Sequence, residues 1–244
     1  MRVSIKTALC ISLLLPLIGA SIAPAEASRW RARGQQGAAG AYNQAGQYGQ
    51  RAGARAIRYG QGGAGVNAST WQGPNGGSLR RGGMNAYKSG VGGVHASGSQ
   101  GAGPNGGNYQ RTGVTAAGQQ GAYHNSQFSG TSAAGSTLDR HSTGTAIAGQ
   151  GANVDKGFNY AGANGSSASG YKTNNYDATT GSGSSTRGRD YNTATGESYG
   201  YDANTTYQKG QGFSTTIDTQ NKQDYTIDYS KGSKPVVTPT GTIN

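Results

Sequence analysis

Arginine and aromatic side chains alternate through the first half of the chain. Trp30, Arg31, Arg33, Tyr42, Tyr48, Arg51, Arg55, Arg58, Tyr59, Trp71, Arg80, Arg81, Tyr87, Lys88, Tyr109 and Arg111 occur in a stretch that contains no Asp or Glu. Guanidinium forks pair with phosphate, sulfate and carboxylate oxygens, and aromatic rings stack on bases or sugar faces. The chemistry on offer is capture of an anionic polymer, with Arg31, Arg33, Arg51, Arg55, Arg58, Arg80, Arg81, Lys88 and Arg111 as the expected contacts. The bland alternative is that positive charge only keeps a glycine-rich chain soluble. The charge is unevenly spread. Ser28 to Leu138 holds ten Arg/Lys and no carboxylate, whereas Asp139 to Asn244 holds nine of each sign. The first half reads as a basic arm and the second as a balanced body rich in Tyr and Thr.

Catalysis has less to draw on. Asp177, Asp190, Glu197, Asp202, Asp218, Asp224 and Asp228 could include a glycosidase-type pair, which needs carboxyls about 5–10 Å apart in a shaped cleft. Raising one pKa also needs apolar walls, which this composition does not supply, and Asp at a strand end reads more simply as a turn former. His95, His124 and His141 lie 29 and 17 residues apart. None has the i, i+4 partner of a helical zinc site, and no cysteine follows Cys10. Gly62-Gly63-Ala64-Gly65-Val66-Asn67 resembles the Gly-Gly-x-Gly-x-Asp start of calcium-binding β-roll repeats, but Asn67 stands where the ligand Asp belongs and no tandem copy follows. No Walker loop is present. The expectation is a non-enzymatic protein with no cofactor, metal site or catalytic residue.

The chain opens as an export signal does. Arg2 and Lys6 precede an apolar run, Ala8 to Ile22, interrupted by Pro16, and Ala25-Glu26-Ala27 has the small-x-small form of a cleavage site. Cleavage is expected between Ala27 and Ser28. The run is about 15 residues, against the roughly 20 of a spanning helix, and no later segment is apolar enough to span. The expected location is secreted: periplasm, cell surface or extracellular space.

The elements that must hold these side chains are short and punctuated. From Ser28 onward there are 17 Leu, Ile, Val and Phe residues and 44 Gly, with no cysteine to staple them. So few large apolar side chains favour disorder, repeats or order gained by assembly over an independent globular core. Gly73-Pro74-Asn75-Gly76-Gly77 returns thirty residues later as Gly103-Pro104-Asn105-Gly106-Gly107, a turn in which Pro presets one dihedral and Asn and Gly tolerate positive φ. Gly34-Gln35-Gln36-Gly37-Ala38, Gly118-Gln119-Gln120-Gly121-Ala122 and Gly149-Gln150-Gly151-Ala152 share a looser Gly-Gln pattern. Asn175-Tyr176-Asp177-Ala178-Thr179-Thr180-Gly181 returns fifteen residues on as Asp190-Tyr191-Asn192-Thr193-Ala194-Thr195-Gly196. Its Tyr-Asp rhythm resembles the YD repeats of bacterial surface shells without their usual continuation, and Gln150–Asn153 resembles a curlin repeat without its regular Gln and Asn spacing. No family is assigned from either.

Strands are expected around Thr143–Ala148 and Asn153–Tyr160, and a hairpin from Phe213–Thr219 and Asp224–Tyr229 with Tyr225, Ile227 and Tyr229 on one face. Arg51, Arg55 and Arg58 have the spacing of one helical face, which Gly49, Gly53 and Gly60 oppose. The expected fold is mostly β and low-complexity, with a disordered Gly-rich basic N-terminal half and an irregular antiparallel β-hairpin meander or repeat in the C-terminal half. The segments are 1–27 signal peptide, 28–72 disordered, 73–138 basic Gly-rich repeat, 139–230 Tyr/Thr hairpin region and 231–244 flexible tail. The expected function is structural or adhesive, at a bacterial cell surface or in an extracellular matrix. The expected partners are envelope glycan or lipopolysaccharide, extracellular DNA, and other copies through exposed strand edges. A soluble binding module for the same anions is the alternative.

Overall fold

A computed structural model describes residues 28–241. The expected signal peptide and Ala27 lie outside the described residues, and Ser28 opens the first strand. The protein is all-β: sixteen antiparallel strands in meander order, with no helix among the described residues. The chain divides into two compact units, residues 1–119 and 120–244. The first carries β1 (Ser28–Gly34), β2 (Gly37–Gly46), β3 (Gly49–Arg58), β4 (Gly62–Gln72), β5 (Ser78–Lys88), β6 (Gly92–Ala102) and β7 (Asn108–Gly118). The second carries β8 (Gly121–Thr131), β9 (Thr137–Ile147), β10 (Gly151–Ala161), β11 (Ser167–Asp177), β12 (Ser182–Asn192), β13 (Ser198–Gln208), β14 (Gly212–Thr219), β15 (Tyr225–Ser230) and β16 (Val236–Pro239).

One hairpin module accounts for the thirty-residue period. From β4 to β13 every strand has eleven residues. Five-residue loops alternate with tight ones, mostly of three residues. The Gly-Pro-Asn-Gly-Gly turns are two of five equivalent loops. In each, the first residue donates its amide to the carbonyl of the fifth: Gly73 to Gly77, Gly103 to Gly107, Ser132 to Ser136, Gly162 to Ser166 and Thr193 to Glu197, at 2.6–2.8 Å. The fourth place is always glycine, because its φ lies between 85° and 94°, a region costly for any residue with a Cβ. The fifteen-residue echo is a half-module, one strand with one loop. Its two copies therefore sit at opposite ends of the second unit's strands, in loops of four and five residues.

The Gln-Gly pattern closes the opposite end. Gln61, Gln150 and Gln211 each accept, on the backbone carbonyl, the amide of the first residue of the next loop at that end: Ser89, Ala178 and Lys231, at 2.6–2.8 Å. The glycine that follows each Gln starts a strand at φ +146°, +149° and +155°. A Cβ there would run into the carbonyl oxygen of Tyr87, Tyr176 and Tyr229 respectively.

Residues 28–138 do not form the disordered half expected, and the repeat expected over 73–138 is built of ordered hairpins. These residues are continuous strand and turn from β1 to β9. The physical reason lies in how glycine is used within the strands. A Cβ at Gly53 would sit 2.6 Å from the Tyr42 ring, one at Gly101 2.6 Å from Tyr109, and one at Gly170 2.5 Å from Phe158. Each pair is directly opposed across two strands. Glycine makes room for a flat aromatic, and the ring covers backbone that glycine leaves bare. The helical reading of Arg51, Arg55 and Arg58 is likewise corrected, since all three lie in β3, whose ladder hydrogen bonds outweigh a helix interrupted by glycines. The 231–244 tail is not free throughout. Val236–Pro239 pairs with β15 as an edge strand, and Pro239 ends it, a position where a missing amide costs no ladder bond.

No hydrophobic core forms. Ala96 and Ala203 are the buried hydrophobic side chains among the described residues. Within each unit, substantial contact is confined to strands that are neighbours in sequence. The units are single-layered, held by backbone ladders and cross-strand pairs, and both faces of each sheet are largely exposed.

Candidate anionic-polymer surface

Successive side chains on a strand point to opposite faces, and residues paired across strands share a face. In the first unit this rule separates the cations. Arg29, Arg31, Arg33, Arg51, Arg55, Arg81 and Arg111 share one face, while Arg58, Arg80 and Lys88 lie on the other. The register also aligns them. Arg51 opposes Ser69, Ser69 opposes Arg81, Arg81 opposes Ser99 and Ser99 opposes Arg111. The result is a straight row with Arg on alternate strands and Ser between, so neighbouring guanidinium stems stand about 9.5 Å apart. Arg51 donates from Nε to Oε1 of Gln44, its cross-strand neighbour on β2.

Trp71, Leu79 and Tyr109 flank this row on the same face, and Trp71 is about half exposed (48%). A shallow concavity at this end of the unit is lined by Tyr48, Arg51, Trp71, Arg81 and Arg111, among others. The unit contains no Asp or Glu from Ser28 to Gln119, so these cations have no internal counter-ion. Of the nine expected contacts, six fall on the basic face and Arg58, Arg80 and Lys88 on the opposite one. Sequence reasoning passed over Arg29, whose strand parity with Arg31 and Arg33 would have placed it with them.

The second unit resolves its zero balance by geometry. Asp139, Asp155, Asp177, Asp190, Asp202, Asp218 and Asp228 supply one carboxylate to each of β9 to β15, all on one face. Arg140, Lys156, Lys172, Arg187 and Arg189, the strand cations of this unit, all lie on the other. Tyr176, Tyr191, Tyr199, Tyr207, Phe213 and Tyr225 are exposed on that cation face. There Tyr176 and Tyr207 stack at 6.4 Å between centroids and 8° between planes, across Gly183. Phe213 meets Tyr229 at 5.4 Å.

The carboxylates do not sit in a walled cleft. Asp202 and Asp218 are directly opposed on an exposed sheet face, and most of the others are mid-strand, not turn formers. Glu197 and Asp224 lie in loops, Asp224 accepting from Thr219 N at 2.7 Å, and Asp177 ends its strand as a turn former. It accepts from Thr179 N at 2.8 Å, Thr179 Oγ1 at 2.5 Å and Thr180 N at 3.3 Å, bonds that hold its pKa below the ordinary carboxylate value. Tyr171 donates to Asp202 Oδ1 at 2.7 Å, and this bond with the nearby negative charge pushes the phenol pKa up. Tyr199 is raised in the same way by Glu197. His141 Nε2 lies within hydrogen-bond distance of Asp155 Oδ1, at 3.0 Å. No cluster of three His, Cys, Asp or Glu occurs among the described residues.

No protein-family model matches the chain, and neither a curated protein nor a solved structure matches it.

Proposed function

We propose that the protein is an exported, non-enzymatic structural or adhesive component of a bacterial cell surface or extracellular matrix, whose first unit holds anionic polymer. The observation that carries this reading is the Arg51–Ser69–Arg81–Ser99–Arg111 row on a face with no carboxylate. Regularly spaced, uncompensated guanidinium groups flanked by Trp71 and Tyr109 suit a linear polyanion with repeating charges and stackable rings. A single-layered, repetitive sheet supports a scaffold in preference to a catalyst, because it offers no desolvated cavity in which to tune a group. The expected polymers are envelope glycan or lipopolysaccharide, with extracellular DNA as a further polyanion.

The same row favours a second reading, a soluble binding module that never assembles. Binding of the 28–244 chain to a uronate polymer, lipopolysaccharide and DNA at increasing salt tests the shared claim. R51Q/R81Q/R111Q is expected to weaken binding and flatten the salt dependence, and R58Q/R80Q/K88Q to do so much less. Equal losses from the two triples would remove the basic face from the argument. Sedimentation of the same samples separates the two readings, since a module stays monomeric and a scaffold does not.

A further inference from the structure

The second unit carries opposite charge on its two faces, and neither face is covered within the unit. Lys156 opposes Lys172, and Lys172 opposes Arg187, on three consecutive strands. Arg140 and Arg189 lie in the adjoining row of that face. Directly opposed like charges on one face destabilise a sheet, and no strand carboxylate lies on this face; Glu197, in the loop before β13, reaches it only at Tyr199. The reverse face repeats the problem with the opposite sign, Asp202 against Asp218. Yet the charges are sorted without exception over β9 to β15, across a change of sequence parity between β11 and β12.

We propose that the second unit stacks face to face on other copies of itself, the Lys156–Lys172–Arg187 face of one copy lying on the Asp190–Asp202–Asp218 face of the next. The inference deepens the structural reading above by naming the contact that builds the assembly. Charge selects this pairing. Two cation faces repel, two carboxylate faces repel, and only unlike faces attract. The area is sufficient: nine strands at about 4.8 Å, roughly 35 Å long in β8 to β13 and shorter in β14 to β16, give a face on the order of 1,300 Å², against about 800 Å² per partner in a standard interface. The exposed rings of Tyr176, Tyr191, Tyr207 and Phe213 lie on the cation face, so stacking also removes apolar surface from water. Because the two contacting faces differ, a pair keeps one free face of each sign, one on each copy, and the stack stays open and grows. Sheets so stacked lie about 10 Å apart. This contact is distinct from pairing through strand edges.

Charge reversal on the 28–244 chain tests this. K156E/K172E/R187E makes both faces of the unit net negative, and D139K/D190K/D218K/D228K makes both net positive. Each variant alone is expected to require about tenfold or more protein for half-assembly in sedimentation than the unaltered chain. Their equimolar mixture is expected to regain assembly, with circular dichroism showing retained β structure in each variant. Assembly of K156E/K172E/R187E alone at the unaltered concentration would overturn the proposal in favour of strand edges or the first unit's basic face. A folded mixture that stays monomeric would overturn it outright. Monomers of the unaltered chain that bind a sulfated polysaccharide through Lys156, Lys172 and Arg187 would assign the cation face to a polymer and also overturn it. Binding of that polysaccharide through Arg51, Arg81 and Arg111, measured on the same samples, reports separately on the proposed function.

Discussion

Gly151→Ala puts the hairpin module to its most local test. Gly151 opens β10 at φ +149°, a region that costs a residue with a Cβ about 1–3 kcal/mol. The added Cβ also collides with the carbonyl oxygen of Tyr176 in β11. Relief requires the β10 start to move away from β11. That movement pulls on the bond from Ala178 N to Gln150 O at 2.8 Å, worth about 0.5–1.5 kcal/mol. The expected loss is about 2–4 kcal/mol. Gly149→Ala, two residues away, is the control. Its φ is +73° and nothing lies within 4 Å of an added Cβ. Left-handed strain of about 1–2 kcal/mol, less about 0.4–1 for a stiffer unfolded chain, leaves roughly 1 kcal/mol. Urea unfolding of the 28–244 chain compares the two. Native-state hydrogen exchange then localises the damage, which should centre on β10, β11 and the Ala178 amide, because each strand is supported mainly by its neighbours. Equal losses for the two variants, or protection lost uniformly along the chain, would refute the reasoning.

Other outcomes follow from the same geometry. Gly53→Ala is expected to cost about 1–3 kcal/mol by overpacking the Tyr42 ring. In a Tyr42→Ala background it should be close to neutral, which a double-mutant cycle in urea reads directly. The depressed pKa of Asp177 means its loop bonds contribute stability above the unfolded carboxylate value, lost as pH falls through the lower folded one. Amides of Thr179 and Thr180 should therefore exchange faster at strongly acid pH, and Asp177→Asn should abolish that dependence. The raised phenol of Tyr171 has the opposite sign. Its contribution is present below the unfolded tyrosine value and lost as pH rises through the higher folded one. An ultraviolet titration should show an alkaline shift that Tyr171→Phe removes.

Some of this architecture was legible in the residues. The Pro-Asn-Gly turns thirty residues apart, the Tyr/Thr alternation and the hairpin near Phe213 to Tyr229 read directly as strand and turn, because glycine with positive φ and β-branched or aromatic residues each have a local physical preference. The order of residues 28–138 was not legible. Counting large apolar side chains misses a sheet in which Tyr42 covers Gly53 and Tyr109 covers Gly101, since those pairings exist only once strands are in register.

The sequence by itself determined the basic first half, the absence of cysteine after Cys10 and the punctuation of a repeat. The tertiary structure alone decided which charges stand together. Side chains alternate with a period of two, so a loop with an odd number of residues preserves parity across a hairpin and an even one reverses it. The four residues 178–181 between β11 and β12 reverse it. That single reversal brings Asp139, Asp155 and Asp177, all odd, onto the face of Asp190, Asp202, Asp218 and Asp228, all even. It also brings Arg140, Lys156 and Lys172 together with Arg187 and Arg189. Net charge along the chain reads as zero there, and only the register turns it into two oppositely charged faces.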